Sequence, residues 1–251
     1  MNKGKMSQLS LAAFGMAVCA LSACGGGKDP EVAPPPVATA TNRSMSEKRP
    51  KMQMKGELGS IDEKVTNELF QSMQPALNSC YTQARGKLNL LQGDVKFFVR
   101  VAETGGAKYV VLEQSTLGDR TAENCMLDLL KGAKWPAPDG GEAEVRKGYG
   151  FDPPGNVRPP VEWGPDKLVP AIAKIEKDIE KCKSGATGMF KVTAYVRGDG
   201  KHGKFDAIGI SPPNQEGESH VNCILDVLHT LTASKLIPSP GSYPAKVQFQ
   251  L

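Results

Sequence analysis

Two stretches of this chain run through the same landmarks in the same order, and each carries two cysteines. The first holds Leu77-Asn78-Ser79-Cys80, then Gly93 ahead of an apolar run, a Gly105-Gly106 turn, Ser115, Cys125 and Trp135-Pro136-Ala137-Pro138. The second holds Ile179-Glu180-Lys181-Cys182, then Gly188, a Gly198-Asp199-Gly200 turn, Ser211, Cys223 and Ile237-Pro238-Ser239-Pro240. One shared landmark would carry little, but a shared order points to a tandem duplication. The copies are divided by residues 153–165, which contain Pro153, Pro154, Pro159, Pro160 and Pro165.

Each copy predicts the same elements. In the first, Ser60 and Glu63 fit a capping box, and Ile61, Val65, Leu69, Met73 and Leu77 recur every four residues, as one helix face does. Pro75 lies inside that ladder and predicts a kink or two short helices. In the second, Pro170 suits a first helical turn, and Ile172, Ile175, Ile179 and Cys182 follow at helical spacing. Glycine-centred hairpins are predicted over 94–102 with 107–114, and over 189–197 with 204–210. A second helix carries Cys125, Met126, Leu129 and Leu130 in one copy, and Cys223, Ile224, Val227, Leu228 and Leu231 in the other. Last strands follow at 143–151 and 245–251. The expected fold class is α+β: two tandem α-β-β-α-β domains, 59–152 and 166–251, each a small antiparallel three-stranded sheet packed by helices.

The N-terminus carries an address. Lys3 and Lys5 precede an apolar stretch over 9–20, too short for a confident transmembrane helix, so residues 1–23 read as a secretory signal. The stretch ends in Leu21-Ser22-Ala23-Cys24, which resembles the lipobox of bacterial lipoproteins. That resemblance implies cleavage before Cys24 and acylation of its sulfur and new amino terminus. A plain signal peptide with a chance cysteine is the competing reading. Gly25, rather than Asp, after the cysteine resembles cargo passed to the outer membrane of Gram-negative bacteria. Several acyl chains on one cysteine make a stable anchor, where one chain holds marginally. Residues 24–58 lack apolar periodicity and contain Gly25-Gly26-Gly27 and Pro34-Pro35-Pro36, so they read as a disordered tether that holds the folded part off the membrane.

Export sets the redox context. Cleavage removes Cys19 and lipid takes Cys24, leaving Cys80, Cys125, Cys182 and Cys223. An even number in an oxidising compartment reads as disulfides, with three possible connectivities. Because the pair recurs once per copy, Cys80–Cys125 and Cys182–Cys223 is the simplest.

The cysteine, strand-opening glycine, hairpin, Ser115-Thr116, second cysteine, Trp135-Pro136-Ala137-Pro138, Gly140-Gly141 and final aromatic strand resemble the AgmX/PglI C-terminal domain family. The resemblance covers roughly 62–152 well and 168–251 weakly, where Ile237 replaces the tryptophan and the Gly-Gly is lost. It implies a fold similar to the C-terminal domain of TonB and a link to envelope or gliding-motility machinery, with no catalytic residues to carry over. Fold analogy alone does not transfer function, and a lipid-anchored outer-membrane protein has no helix with which to tap an inner-membrane motor. TonB's domain pairs with short extended partner segments, so the final strands become candidate edges, with Val145 and Val247 as the positions where proline is expected to block pairing.

Other chemistries fit less well. The formal net charge of +4 and 6% aromatic content exclude a dedicated nucleic-acid binder. His202, His220 and His229 all lie in the second copy without a nucleophile elbow, which argues against a hydrolase. His220, Cys223 and Cys182 offer three zinc ligands, but the first copy keeps its cysteines and has no histidine, so disulfides explain both copies with one rule. Trp135 reads as core or strand edge rather than ligand platform, and Trp163 as a pin for the proline-rich linker. The expectation is a non-enzymatic scaffold that needs no cofactor or metal, touches the membrane through Cys24 and binds an envelope protein by strand addition. Peptidoglycan or glycan binding is the alternative, and an envelope thiol oxidoreductase the third reading.

Overall fold

The structure, a computed structural model, describes residues 58–198, 202–231, 233–234 and 243–251. The lipobox with Cys24, nearly all of the tether, and Ile237 to Pro240 lie outside the described residues. The described residues belong to one compact unit, and among them no helix is long and apolar enough to cross a membrane.

The first copy is α1 (Glu63–Arg85), β1 (Gly93–Val101), β2 (Ala107–Ser115), α2 (Arg120–Gly132) and β3 (Ala143–Phe151). Its sheet is antiparallel in the order β2-β1-β3. Along β1, Val95, Phe97, Val99 and Val101 are buried under the helices, while Lys96, Phe98 and Arg100 face the other way. This is the period of two that a sheet covered on one face requires. Trp135 is core: it is 4% exposed, its indole N–H donates to the Leu130 carbonyl at 2.9 Å, and it meets Phe70 edge-on at 5.3 Å.

Two local expectations are corrected. The N-cap of α1 is Asp62, whose carboxylate accepts from the Val65 amide at 3.0 Å, while Ser60 forms an antiparallel bridge with Asp139. Pro75 does not divide α1, which runs through it as one helix of 23 residues. The predicted stripe packs on the core through Leu77, which is buried, and Ile61, Leu69 and Met73, which are partly so, while Val65 is exposed and Thr66, Phe70, Cys80, Tyr81 and Ala84 widen the buried face.

The second copy adds strands to the expected pattern. Its linker forms β4 (Val161–Trp163), followed by a 3₁₀ turn (Pro165–Lys167). Then come α3 (Val169–Lys183), β5 (Lys191–Gly198), β6 (His202–Ser211), α4 (Gln215–Glu218), α5 (Val221–His229), β7 (Ala233–Ser234) and β8 (Ala245–Gln250). The sheet has five strands in the order β4-β8-β5-β6-β7, not three, with β4 parallel to β8 and the other pairs antiparallel. The linker is thus part of the fold, and Trp163 packs against the second core as its pin.

Strand-opening glycines recur for one steric reason. Gly93 has φ +150°, and a Cβ there would lie 2.3 Å from the Thr116 carbonyl oxygen. Gly188 has φ +104°, and a Cβ there would lie 2.6 Å from Pro213 Cβ. In both copies the chain leaving the hairpin closes over the glycine, so only hydrogen fits.

The copies pack on each other. Val192, Thr193, Ala194, Tyr195 and Val196 are all buried, because β5 is covered on both faces. Val192, Ala194 and Val196 join the helical core of the second copy, whereas Tyr195 sits in the core of the first. The Tyr195 hydroxyl donates to the Gln92 carbonyl at 2.8 Å and accepts from the Gln92 amide at 3.1 Å. Lys246, 5% exposed, donates to the same carbonyl at 2.7 Å.

Both predicted disulfides are present, Cys80–Cys125 and Cys182–Cys223, closing separations of 45 and 41 residues. Loops of this size restrict the unfolded chain by about 4 kcal/mol each. With both sulfurs of the Cys182–Cys223 pair bonded to each other, neither is a thiolate for zinc. His220 instead places Nδ1 2.7 Å from the Cys182 carbonyl.

Candidate functional site

A sheet edge is a row of backbone donors and acceptors, so the first question is which edges are open. In the first sheet β2 packs against β6 and α4 of the second copy, and β3 is the outer edge. Successive residues of a strand point their backbone groups to opposite sides, and two bonds fix the parity here. The Thr116 amide donates to the Asp94 carbonyl and the Ala102 amide to the Gly106 carbonyl, so even-numbered residues of β1 face β2 and odd-numbered ones face β3. Val99 opposes Val145, and the Val145 amide therefore faces β1. The outward groups belong to Glu144, Arg146, Gly148 and Gly150. At the strand's opening, the Gly59 amide donates to the Glu142 carbonyl at 2.9 Å on that outer side, in the same parity.

The choice of Val145 as a blocking position is thus corrected: proline there would break the fold's own ladder rather than a partner's. Val247 fails for the same reason and for another. Phe190 and Leu251 exchange both backbone bonds, so odd-numbered residues of β8 face β5, with Val247 opposite Ala194. In addition, β4 covers Ala245 to Val247 on the outer side, so this part of β8 is not an edge at all.

The open edge is flanked by two different faces. On the helix side, Ala143, Val145 and Phe151 are buried, and Lys147 donates to Asn67 at 3.1 Å. The solvent face is a charge lattice. Arg100 bonds Glu142 at 2.8 Å and Glu144 at 2.7 Å, Lys108 bonds Glu142 at 2.6 Å, and Lys96 and Arg146 bond Glu113 at 2.8 and 3.0 Å. The Lys96 and Arg146 bonds hold the Glu113 carboxyl below the usual range, and Lys108 and Arg100 do the same for Glu142. Solvent screens these pairs, so they order the face more than they hold the fold. Arg146 also lies 4.5 Å from the centre of the Phe98 ring, which stacks on Tyr109 at 5.8 Å.

A second cluster joins the copies. Glu123 of α2 is fully buried and reaches into the second copy. Its carboxylate accepts from the Ser115 hydroxyl at 2.6 Å and from the Ile210 amide at 3.3 Å. A Cβ on Gly209 would lie 2.3 Å from that carboxylate, so glycine is what lets it approach β6. Burial pushes the Glu123 carboxyl up to about 7, against the pull of the Ser115 bond, the Arg120 charge and the Ile210 amide. Beside it, Arg120 pairs with Glu218 of the second copy.

The predicted residues do not converge on one centre. Each cysteine pair is structural in its own copy, with Cys80 and Cys182 buried. His229 is exposed near the end of α5. Sequence reasoning missed Glu123 and Tyr195, which join the copies, and the parity that separates Val145 from Gly148. Glu123 left a legible signal: with Met126, Leu127 and Leu130 it shares the apolar face of α2, an odd place for an acid. Comparison with protein-family models, with curated proteins and with solved structures finds no match for this chain.

Proposed function

We propose that this protein is a non-enzymatic scaffold of the bacterial envelope, anchored to the outer membrane through lipid on Cys24 and facing the periplasm, that captures an extended segment of a partner protein along β3. The observation that carries this reading is the outer edge of β3, where Glu144, Arg146, Gly148 and Gly150 present backbone groups that no other described strand pairs. Added strands gain main-chain hydrogen bonds, while flanking side chains choose among partners. The alternating charges beside the edge suit a partner strand with charges of its own. On the resemblance of the first copy to the AgmX/PglI C-terminal domain, that partner belongs to envelope or gliding-motility machinery.

Gly148 is the position at which to test it. A Cβ there would meet only the Val95 carbonyl oxygen, at an ordinary 3.7 Å, so the site has room for a side chain. Gly148→Pro removes one outward donor and sets a ring in the partner's path, whereas Gly148→Ala keeps the donor. Losing one neutral hydrogen bond costs about 1 kcal/mol, so capture by crosslinking in native envelopes should fall about fivefold with proline and hold with alanine. Equal capture by both folded variants would reject the reading. Separately, Cys24→Ala should abolish lipidation and release the chain from acyl anchoring. Unmodified Cys24 in the membrane fraction would reject that part.

One observation favours the glycan-binding alternative: the Phe98–Tyr109 stack borders a hollow of about 260 Å³ closed by Pro212 and Pro213. Pull-down with purified sacculi separates the two, since only glycan binding enriches the protein without a partner protein.

A further inference from the structure

The second copy carries a groove of its own, between α3 and the end of β8. It measures about 630 Å³ and has an apolar floor that includes Leu168, Ile172, Phe249 and Leu251. Val169, 63% exposed, stands on its rim. Among the described residues, the charged ones that line it are Glu176 and Glu180, one helical turn apart on α3, and Glu180 bonds Lys183 at 2.8 Å. Along its wall the sheet edge reopens. β4 pairs with Ala245 to Val247, and the chain then turns away into the 3₁₀ turn. Even-numbered residues of β8 face this side, as the bond from the Val161 amide to the Pro244 carbonyl shows. Beyond β4, the Gln248 carbonyl and both backbone groups of Gln250 therefore face the groove.

We infer that this groove binds an extended segment of a partner protein in which an apolar residue is flanked by lysine or arginine. Three features specify that occupant together. Open backbone groups call for an extended main chain, which continues the line that β4 abandons. An apolar floor beside them takes a side chain of that segment. With Glu180 already bonded to Lys183, the carboxylate of Glu176 is the rim charge that calls for a positive side chain on the segment and disfavours an acidic one. The site is independent of the β3 edge and lies on the other copy, so it stands or falls without that reading.

The probe is a fluorescein-labelled pentapeptide, Lys-Val-Lys-Leu-Lys, whose leucine carries a diazirine, tested against Glu-Val-Glu-Leu-Glu on the full chain in detergent. Anisotropy should show the lysine peptide binding at least about fivefold more tightly. Its photo-crosslinks should map to Val169, Ile172 or Phe249. Reversing both exposed acids, Glu176→Lys with Glu180→Lys, should invert the preference between the peptides. Val169→Ser, also exposed, should weaken an apolar contact at the rim without changing its charge. Crosslinks elsewhere, or a lysine preference that survives the double reversal in a folded protein, would overturn the inference.

Discussion

Glu123→Gln isolates what a buried carboxyl between the copies does to stability. Burial raises its folded pKa from an ordinary 4.5 to about 7. A raised carboxyl binds its proton more tightly in the folded state, so its contribution is fully present below pH 4.5. It is lost as pH rises toward 7 and is level above that. The span is about 2.5 pH units at about 1.4 kcal/mol each, so neutral pH costs roughly 3 kcal/mol relative to acid. Glutamine mimics the protonated form: its oxygen can accept from Ile210 while its amide donates to the Ser115 hydroxyl. Wild type and variant should match near pH 4, and the variant should be more stable by about 3 kcal/mol near pH 8. Glu113 and Glu142 shift the other way, adding stability that is lost toward acid, but they are common to both proteins and cancel in the difference. Urea unfolding with disulfides intact, followed by tryptophan fluorescence from pH 4 to 8, reads this directly. Parallel curves for the two proteins would refute the assignment.

The same interface makes a second prediction. Tyr195→Phe leaves the Gln92 carbonyl bonded to Lys246 but strips the Gln92 amide of its partner, which should cost about 1–2 kcal/mol in the same assay. The disulfides should also differ in access. Cys223 is exposed whereas Cys125 is half-buried, so limiting dithiothreitol followed by thiol mapping should open Cys182–Cys223 before Cys80–Cys125.

The repeat made much of the architecture legible, because hairpins, cysteine pairs and apolar faces recur at fixed places within each copy. Strand β3 falls at 143–151 as read, since alternation and the glycines around it leave little freedom. What the repeat hid is how the copies meet. A periodicity argument sees one copy at a time, and Tyr195, spent on the other copy's core, looks like any strand residue. The linker's prolines conceal Val161 to Trp163, three residues too short to signal a strand yet enough to cover half of β8. Edge parity is likewise set by hairpin register rather than by residue type, which is why Val145, a good strand former, was a plausible choice and Gly148 was not. The predicted stripe on α1 reaches the core through Ile61, Leu69, Met73 and Leu77 but is narrower than the buried face, which Phe70, edge-on against Trp135, extends.

Amide hydrogen exchange along β3 tests the central claim most directly. In the free protein the Arg146, Gly148 and Gly150 amides face outward and should exchange fast, while those of Val145, Lys147 and Tyr149, bound into the ladder with β1, should be slow. On capture from native envelopes the first three should become protected and the others stay as they were. Protection of Arg146, Gly148 and Gly150 already in the free protein, or fast exchange that persists on capture, would contradict strand addition at this edge.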